Sequence, residues 1–538
     1  MKTLLLGINS KYIHTNLAIR LLKANCSVEV DIKEFTIKDE YETIIDYIIS
    51  NEYEFVGFSC YIWNIEYIKT LIPLLKARTN HIYILFGGPE VSYNSHYYLD
   101  QGMVDFVIRN EGEVAFDMLL KALINKQGFD NIPNLSYKNI DNPSKDVDVT
   151  SLKSAYRLEN DYPNRIMYVE TSRGCPFSCS YCMASLEKKV RYFNQAEVKE
   201  ELIYLMEKGT KVFKFLDRTF NTDINKAIDI FDFIIENHLP NTSFQFEITG
   251  DILPQDIIEH LNQNAPKNLF RFEIGIQSTN DLTNKLVNRH QNKNKLFDNI
   301  SKIQAGNIID LHLDLIAGLP KEDLKSFERT FNDVMSLRPL ELQLGFLKML
   351  RGTKIYDEYH LYNYQFNPKA PYEIISNDSL SPQDIQDIKV VENILEKYYN
   401  SSFMPKTIHY LLDNQDSSFY FFLEFGRYYE SLYSWFNYNL DDLYVRLYEY
   451  LNKINFSNLE YVLFLMKFDY LSYYNIRPKI WWPRISKAEK NEIIKSLHQD
   501  SLSMFSLQDL YKYALIETYQ KQYLIAIYMP NQKKVFII

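Results

Sequence analysis

The stretch Glu170-Thr-Ser-Arg-Gly-Cys-Pro-Phe-Ser-Cys-Ser-Tyr-Cys182 constrains this chain more than any other. It gathers three of the five cysteines, Cys175, Cys179 and Cys182, at C-x3-C-x2-C spacing, directly after the strand-like apolar run Ile166 to Val169. Soft thiolates packed this closely in one loop are a metal-binding pattern.

The ligand count separates the candidate metals. A structural zinc closes its tetrahedron with four protein ligands, usually in two separated pairs. The remaining cysteines, Cys26 and Cys60, lie far upstream in what reads as another domain. Iron-sulfur clusters also take four thiolates as a rule, so three would leave one iron of a [4Fe-4S] cluster open to a non-protein ligand. Zinc and inert buried thiols are the competing readings.

On these residues the chain resembles the radical S-adenosylmethionine superfamily, in which such a loop holds a [4Fe-4S] cluster whose open iron is chelated by S-adenosylmethionine. The likeness continues through Phe215-Leu-Asp-Arg-Thr-Phe-Asn221, Phe244-Gln-Phe-Glu247, Glu273-Ile-Gly-Ile-Gln-Ser278 and Asp314-Leu-Ile-Ala-Gly-Leu-Pro320. These segments are similar to the S-adenosylmethionine-binding segments of oxygen-independent coproporphyrinogen oxidase and its relatives. The resemblance implies that Glu247, Gln277, Arg289 and Asp314 touch the methionine end and the ribose, that Tyr181 packs on the adenine, and that Asp217 contacts the cofactor. Two blander readings stand beside these: a carboxylate at a strand end can cap the next helix, and Asp217 can pair with Arg218.

A chain of 538 residues has room for roughly three domains. With 46% hydrophobic and 24% charged residues it has an ordinary globular composition. No apolar run approaches the length of a membrane span, and Met-Lys-Thr-Leu-Leu-Leu-Gly reads as a first strand rather than a signal peptide. An odd number of cysteines, three in one loop, argues against a disulfide framework. The expectation is a cytoplasmic protein, with a cluster suited to anaerobic life. A formal charge of -10 gives no general attraction to phosphate backbones.

Residues 1–128 alternate short β-rich runs, at 3–8, 28–35, 55–60, 82–86 and 105–108, with helical patterns such as 65–75. This alternation predicts a doubly wound, flavodoxin-like parallel sheet, with ligands beyond the carboxyl ends of the strands. Those ends read Gly57-Phe-Ser59, Gly87-Gly88-Pro89 and Glu111-Gly112-Glu113. In front of a radical S-adenosylmethionine core the set resembles the cobalamin-binding domain of that superfamily's cobalamin-dependent branch. Gly57, Ser59, Gly87 and Gly88 would then line the groove for the nucleotide tail. The Asp-x-His-x-x-Gly motif of domains that donate a histidine to cobalt is absent, and His14 reads as a loop residue. A phosphoreceiver would need acidic residues where Asn9 and Ser10 stand, and a flavin domain a better phosphate loop than Lys11-Tyr-Ile-His-Thr.

Residues 129–160 are rich in polar residues and read as an irregular linker. From 161 to 370, strands near 166, 212, 244, 270, 311 and 341 alternate with helices, which fits a partial six-stranded (β/α) barrel with its chemistry at the strand ends. Residues 371–538 read as a mostly helical accessory domain. It has helices at 382–399, 441–451 and 487–497, an aromatic core segment at 419–429, and a terminal hairpin from 523–529 and 534–538.

The cobalamin-dependent branch implies a 5'-deoxyadenosyl radical used with methylcobalamin to methylate an unactivated carbon. The alternative is radical cyclisation, ring contraction or rearrangement without methyl transfer, and a non-catalytic cofactor-binding module is a third reading. The chain would need an external one-electron reductant such as flavodoxin or ferredoxin. Its acidic balance favours a small molecule, lipid or peptide over nucleic acid. No substrate-contacting or catalytic side chain is legible.

Overall fold

The computed structural model describes residues 1–79, 81–157, 164–530 and 532–538. β1, Thr3–Asn9, is buried along its whole length, as a central parallel strand covered on both faces must be. β2 (Asp31–Thr36), β3 (Phe55–Ser59), β4 (Tyr83–Gly87) and β5 (Phe106–Ile108) run parallel to it in the order β2-β1-β3-β4-β5, the flavodoxin-like order. Period-two alternation divides the core. Leu4, Leu6, Val56 and Phe86 pack with Ile44 and Ile68 on one face, while Leu5, Phe55, Leu85 and Ile108 meet Ile19 and Phe116 on the other.

Segment 129–160, expected to be irregular, instead contributes β6 (Leu135–Tyr137) and β7 (Ile140–Asp141). These extend the sheet antiparallel to seven strands. Its polar residues are what hold it in place: Asn142 Nδ2 donates to Phe129 O and Ile132 O at 2.7 and 2.8 Å, and Asn134 Nδ2 to Glu111 O at 2.8 Å. The expected boundary at residues 160 and 161 lies outside the described residues.

The second sheet comprises β8 (Ile166–Val169), β11 (Val212–Phe215), β12 (Ser243–Ile248), β13 (Phe270–Gln277), β14 (Asp310–Ala317) and β15 (Glu341–Phe346), in the order β15-β14-β13-β12-β11-β8. A short antiparallel pair, β9 (Ser172–Arg173) and β10 (Arg191–Tyr192), flanks the cysteine loop, and β16 (Gln365–Phe366) pairs with β17 (Ile374–Ser376). On the buried face Phe213 stacks on Phe244 and Phe215 on Phe246, with ring centroids 4.7 and 4.3 Å apart. The opposite face carries the half-buried polar row Lys214, Gln245, Glu247, Glu273 and Asp314.

The chain divides into two compact units, Met1–Asp323 with Gly345–Ser381, and Leu324–Leu344 with Pro382–Ile538. In the second unit Phe419, Phe422, Phe425 and Tyr429 of the helix Ser418–Leu432 are buried, so the aromatic run is core. The expected hairpin is present as β19 (Gln522–Met529) and β20 (Gln532–Ile537). Before it stands a further strand, β18 (Ala514–Tyr519), whose start follows the helix Leu507–Tyr513 without a break and so carries no turn signal. Among the described residues no helix is long and apolar enough to cross a membrane.

Within the first unit, Glu34 joins the N-terminal sheet to β8. Its carboxylate pairs with Arg20 at 2.6 Å and with Arg165 beside β8, and accepts from Asn9 Nδ2 at 2.8 Å. Burial alone would raise this carboxyl, but the two guanidiniums outweigh it and hold the group below its ordinary value. The stabilisation is therefore complete above the unfolded pKa and is lost as pH falls through the lower folded value. Glu34→Gln should cost about 3 kcal/mol near neutral pH, and the deficit should shrink below pH 4.5, the ordinary value of the group. Denaturant unfolding across pH checks this, and a deficit independent of pH would contradict it.

Candidate functional site

The cysteine loop is shaped by hydrogen bonds from its surroundings. Gly174, at φ +93°, presses against the Lys189 carbonyl where no side chain fits, and Cys175 N donates to Glu187 O at 2.8 Å. Ser180 N donates to Val287 O at 2.9 Å, Asn288 Nδ2 to Ser178 Oγ at 2.7 Å, and Ile355 N to Ser180 O at 3.0 Å. Cys175 and Cys179 are buried and Cys182 half-buried. Burial, then the neighbouring Cys179 and Cys175 thiols, raise the Cys182 thiol. Among the described residues no three His, Cys, Asp or Glu side chains converge at single-ion spacing.

Arg289 ties this loop to the barrel. Its guanidinium donates to the Gly275 carbonyl, to Tyr181 Oη at 3.3 Å and to Cys179 Sγ at 3.9 Å. Opposite β14 the register of β13 shifts between Gly275 and Gln277, and Gln277 adopts φ +68° with its buried Oε1 lacking a partner among the described residues. Asp314 stands opposite Gly275, 3.1 Å from His312 Nε2. Glu247 pairs in register with Glu273, and burial followed by that like charge pushes its carboxyl up to about 7.

Asp217 sits beneath the loop, 1% exposed. It accepts from Thr171 N at 2.9 Å and from Thr171 Oγ1 and Ser172 Oγ at 2.6 Å each. Burial nonetheless pushes it up to about 6. Its oxygens hold the approach to the cysteines rather than Arg218.

Beyond the carboxyl ends of β3, β4 and β5 lies a cavity of about 360 Å³. Gly57, Ser59, Gly87 and Gly88 line it from the sheet, and Glu170, Arg173, Met183 and Arg218 from the barrel side. Its deeper wall is apolar, with Leu5 and Leu85 facing Leu17 and Leu22 of the helix Leu17–Asn25. Ser59 Oγ is held by Asn16 Nδ2 at 2.8 Å. His14 does not line the groove: its Nδ1 lies 2.7 Å from Tyr168 Oη. Tyr61 and Arg173, which also line the cavity, were not singled out in the sequence. The Glu111-Gly112-Glu113 turn was visible as a strand end, but its pairing with Arg173 has no local signature.

An open sheet whose carboxyl ends meet a three-thiolate loop on a partial barrel brings two ligand-binding elements to one cavity. The donor set fits an iron-sulfur cluster short of one protein ligand, and the orphaned Gln277 Oε1 and the space above Gly87 fit bound polar ligands. Three family models match the chain: the B12 binding domain over residues 3–120, the Radical SAM superfamily over 169–334, and a protein of unknown function, DUF4080, over 360–534. An uncharacterized methyltransferase, PH0819 of Pyrococcus horikoshii, is 32% identical over 30% of this chain and 39% of its own length. The anaerobic magnesium-protoporphyrin IX monomethyl ester cyclase of Synechocystis sp. is 24% identical over 45% of this chain and 51% of its own. The match thus spans about half or less of these curated relatives. The solved structure of the cobalamin-dependent S-adenosylmethionine radical enzyme OxsB, with aqua-cobalamin and S-adenosylmethionine bound, shares the fold at TM-score 0.58 and 13% identity, covering 95% of this chain and 83% of that one. The chain thus carries a B12-binding domain followed by a radical S-adenosylmethionine domain, and cobalamin-dependent radical S-adenosylmethionine enzymes are among its sequence and structural neighbours. Its domains imply a [4Fe-4S] cluster, S-adenosylmethionine and cobalamin.

The paired glycines make separable predictions. At Gly88, φ +112°, a Cβ would lie 2.5 Å from Cys60 O, so Gly88→Ala should destabilise the fold by at least about 2 kcal/mol. At Gly87 the nearest atom to a Cβ is Ile108 O at 3.7 Å, so Gly87→Ala should keep wild-type stability while its methyl group narrows the groove and weakens hydroxocobalamin binding. Thermal unfolding and absorbance titration of both variants test the contrast.

Proposed function

We propose that this cobalamin-dependent radical S-adenosylmethionine enzyme methylates an unactivated carbon. The observation that carries the reading is the shared cavity, walled on one side by Gly57, Gly87 and Gly88 and on the other by Glu170, Arg173 and Arg218 around the cysteine loop. Bound here, the cluster and S-adenosylmethionine supply a 5'-deoxyadenosyl radical, and cobalamin supplies a methyl carrier.

The chain's own work is positioning and exclusion of water. Cys175, Cys179 and Cys182 would hold the cluster, with Asp217 keeping the loop in place. Gln277, Asp314, Glu247 and Arg289 would orient S-adenosylmethionine, and Tyr181 would pack on its adenine. Gly57, Ser59, Gly87 and Gly88 would admit the corrinoid's nucleotide tail. A one-electron donor such as flavodoxin or ferredoxin, in a reducing cytoplasm, completes the system. The substrate is a small molecule, lipid or peptide.

A second reading, radical cyclisation or rearrangement without methyl transfer, is favoured by the likeness to a cyclase over 258 residues. Methyl-labelled S-adenosylmethionine separates the two. Under dithionite, methylation predicts label passing to the corrinoid-loaded protein as well as 5'-deoxyadenosine. Deoxyadenosine with no transferred label would select the second reading. Cys179→Ala should abolish deoxyadenosine formation in either case.

A further inference from the structure

The turn Glu111-Gly112-Glu113 walls the groove, and its carboxylates also hold Arg173, the residue before Gly174 and Cys175. Arg173 Nη1 lies 3.1 Å from Glu111 Oε1, and Nη2 lies 2.7 Å from Glu113 Oε1 and 3.0 Å from Glu170 Oε2. Glu111 is fixed in turn by Arg191, at 2.8 Å to each oxygen, and by Val147 N at 2.6 Å. A guanidinium is a rigid fork, and out of water its carboxylate pairs hold it in one geometry.

Glu113 is 5% exposed, and its second oxygen, Oε2, has no hydrogen-bond partner among the described residues. A buried carboxylate oxygen left bare is costly. Because the whole turn lines the groove, a ligand filling it would press on Glu113, and any shift of Glu113 moves Arg173 with it.

We propose that Glu113 and Arg173 couple the two cofactor sites, so that a corrinoid in the groove and a cluster on the cysteine loop each strengthen the other's binding. The inference rests on the cobalamin reading of the groove. Both side chains are positioning residues, and thermodynamic linkage makes the effect reciprocal.

The test titrates hydroxocobalamin, under anaerobic conditions, into the full chain with and without its iron and sulfide. The cluster-free form should bind about tenfold more weakly, a common size for such coupling. In Glu113→Gln, which keeps an acceptor for Arg173 and can turn an amide toward the groove, the ratio should fall to about one while iron content stays at the wild-type level. Arg173→Lys keeps the charge but cannot span both carboxylates, and should give the same collapse. A wild-type ratio of one, or a tenfold ratio retained in both variants, overturns the coupling while leaving the cobalamin reading intact. Failure of both wild-type forms to bind hydroxocobalamin overturns the two together.

Discussion

The hydrogen bonds that Asp217 accepts from Thr171 and Ser172 are the constraint on which the site depends. Between Arg173 and Met183 the chain has almost no regular structure, so the cysteine loop cannot fix its own shape. A buried carboxylate taking three hydrogen bonds at 2.6 to 2.9 Å fixes where the loop leaves β8. Arg289 and Asn288 fix its far end. Burying Asp217 raises its carboxyl to about 6, and the donors around it recover only part of that cost. The arrangement gives up some stability to hold three thiolates in register, a common exchange at functional sites.

The two sheets play unequal parts. The N-terminal sheet supplies shape: glycines where strands end, and an apolar slot beside the helix Leu17–Asn25. The barrel sheet supplies charge. Both domains nevertheless meet through a few buried ion pairs, Glu34 with Arg165 at one side and Glu111 and Glu113 with Arg173 at the other. Pairs of this kind add less to stability than to uniqueness of geometry once desolvation is counted. That suits a junction whose purpose is to hold two ligands at a set separation.

Much of this was legible in the sequence because it is local. The C-x3-C-x2-C spacing, the glycine pairs at strand ends and the alternation of strands with helices each lie within a few residues of one another. The unread parts are those whose physics is long-range. The polar composition of residues 129–160 suggested an irregular path, but Asn134 and Asn142, at the two ends of a hairpin on the sheet edge, tie it to the carbonyls of Glu111, Phe129 and Ile132. The register shift after Gly275 and the partnership of Glu113 with Arg173 depend on residues brought together only by the fold. β18 escaped because it begins where a helix stops, with neither glycine nor proline between.

The barrel's polar row sets the electrostatics of its lumen. Glu247, Glu273 and Asp314 face the same lumen, and Lys214, 3.2 Å from Glu273, compensates only part of their charge. Burial, then Glu273, raises the Glu247 carboxyl to about 7; burial likewise raises Asp314, with Glu273 adding to it. A positive group entering this lumen would reverse the like-charge part of those shifts. S-adenosylmethionine carries an ammonium and a sulfonium against a single carboxylate, so its net positive charge would offset part of the repulsion within this row. The same carboxylates would repel an anionic ligand, which makes the lumen selective by charge before any shape is matched.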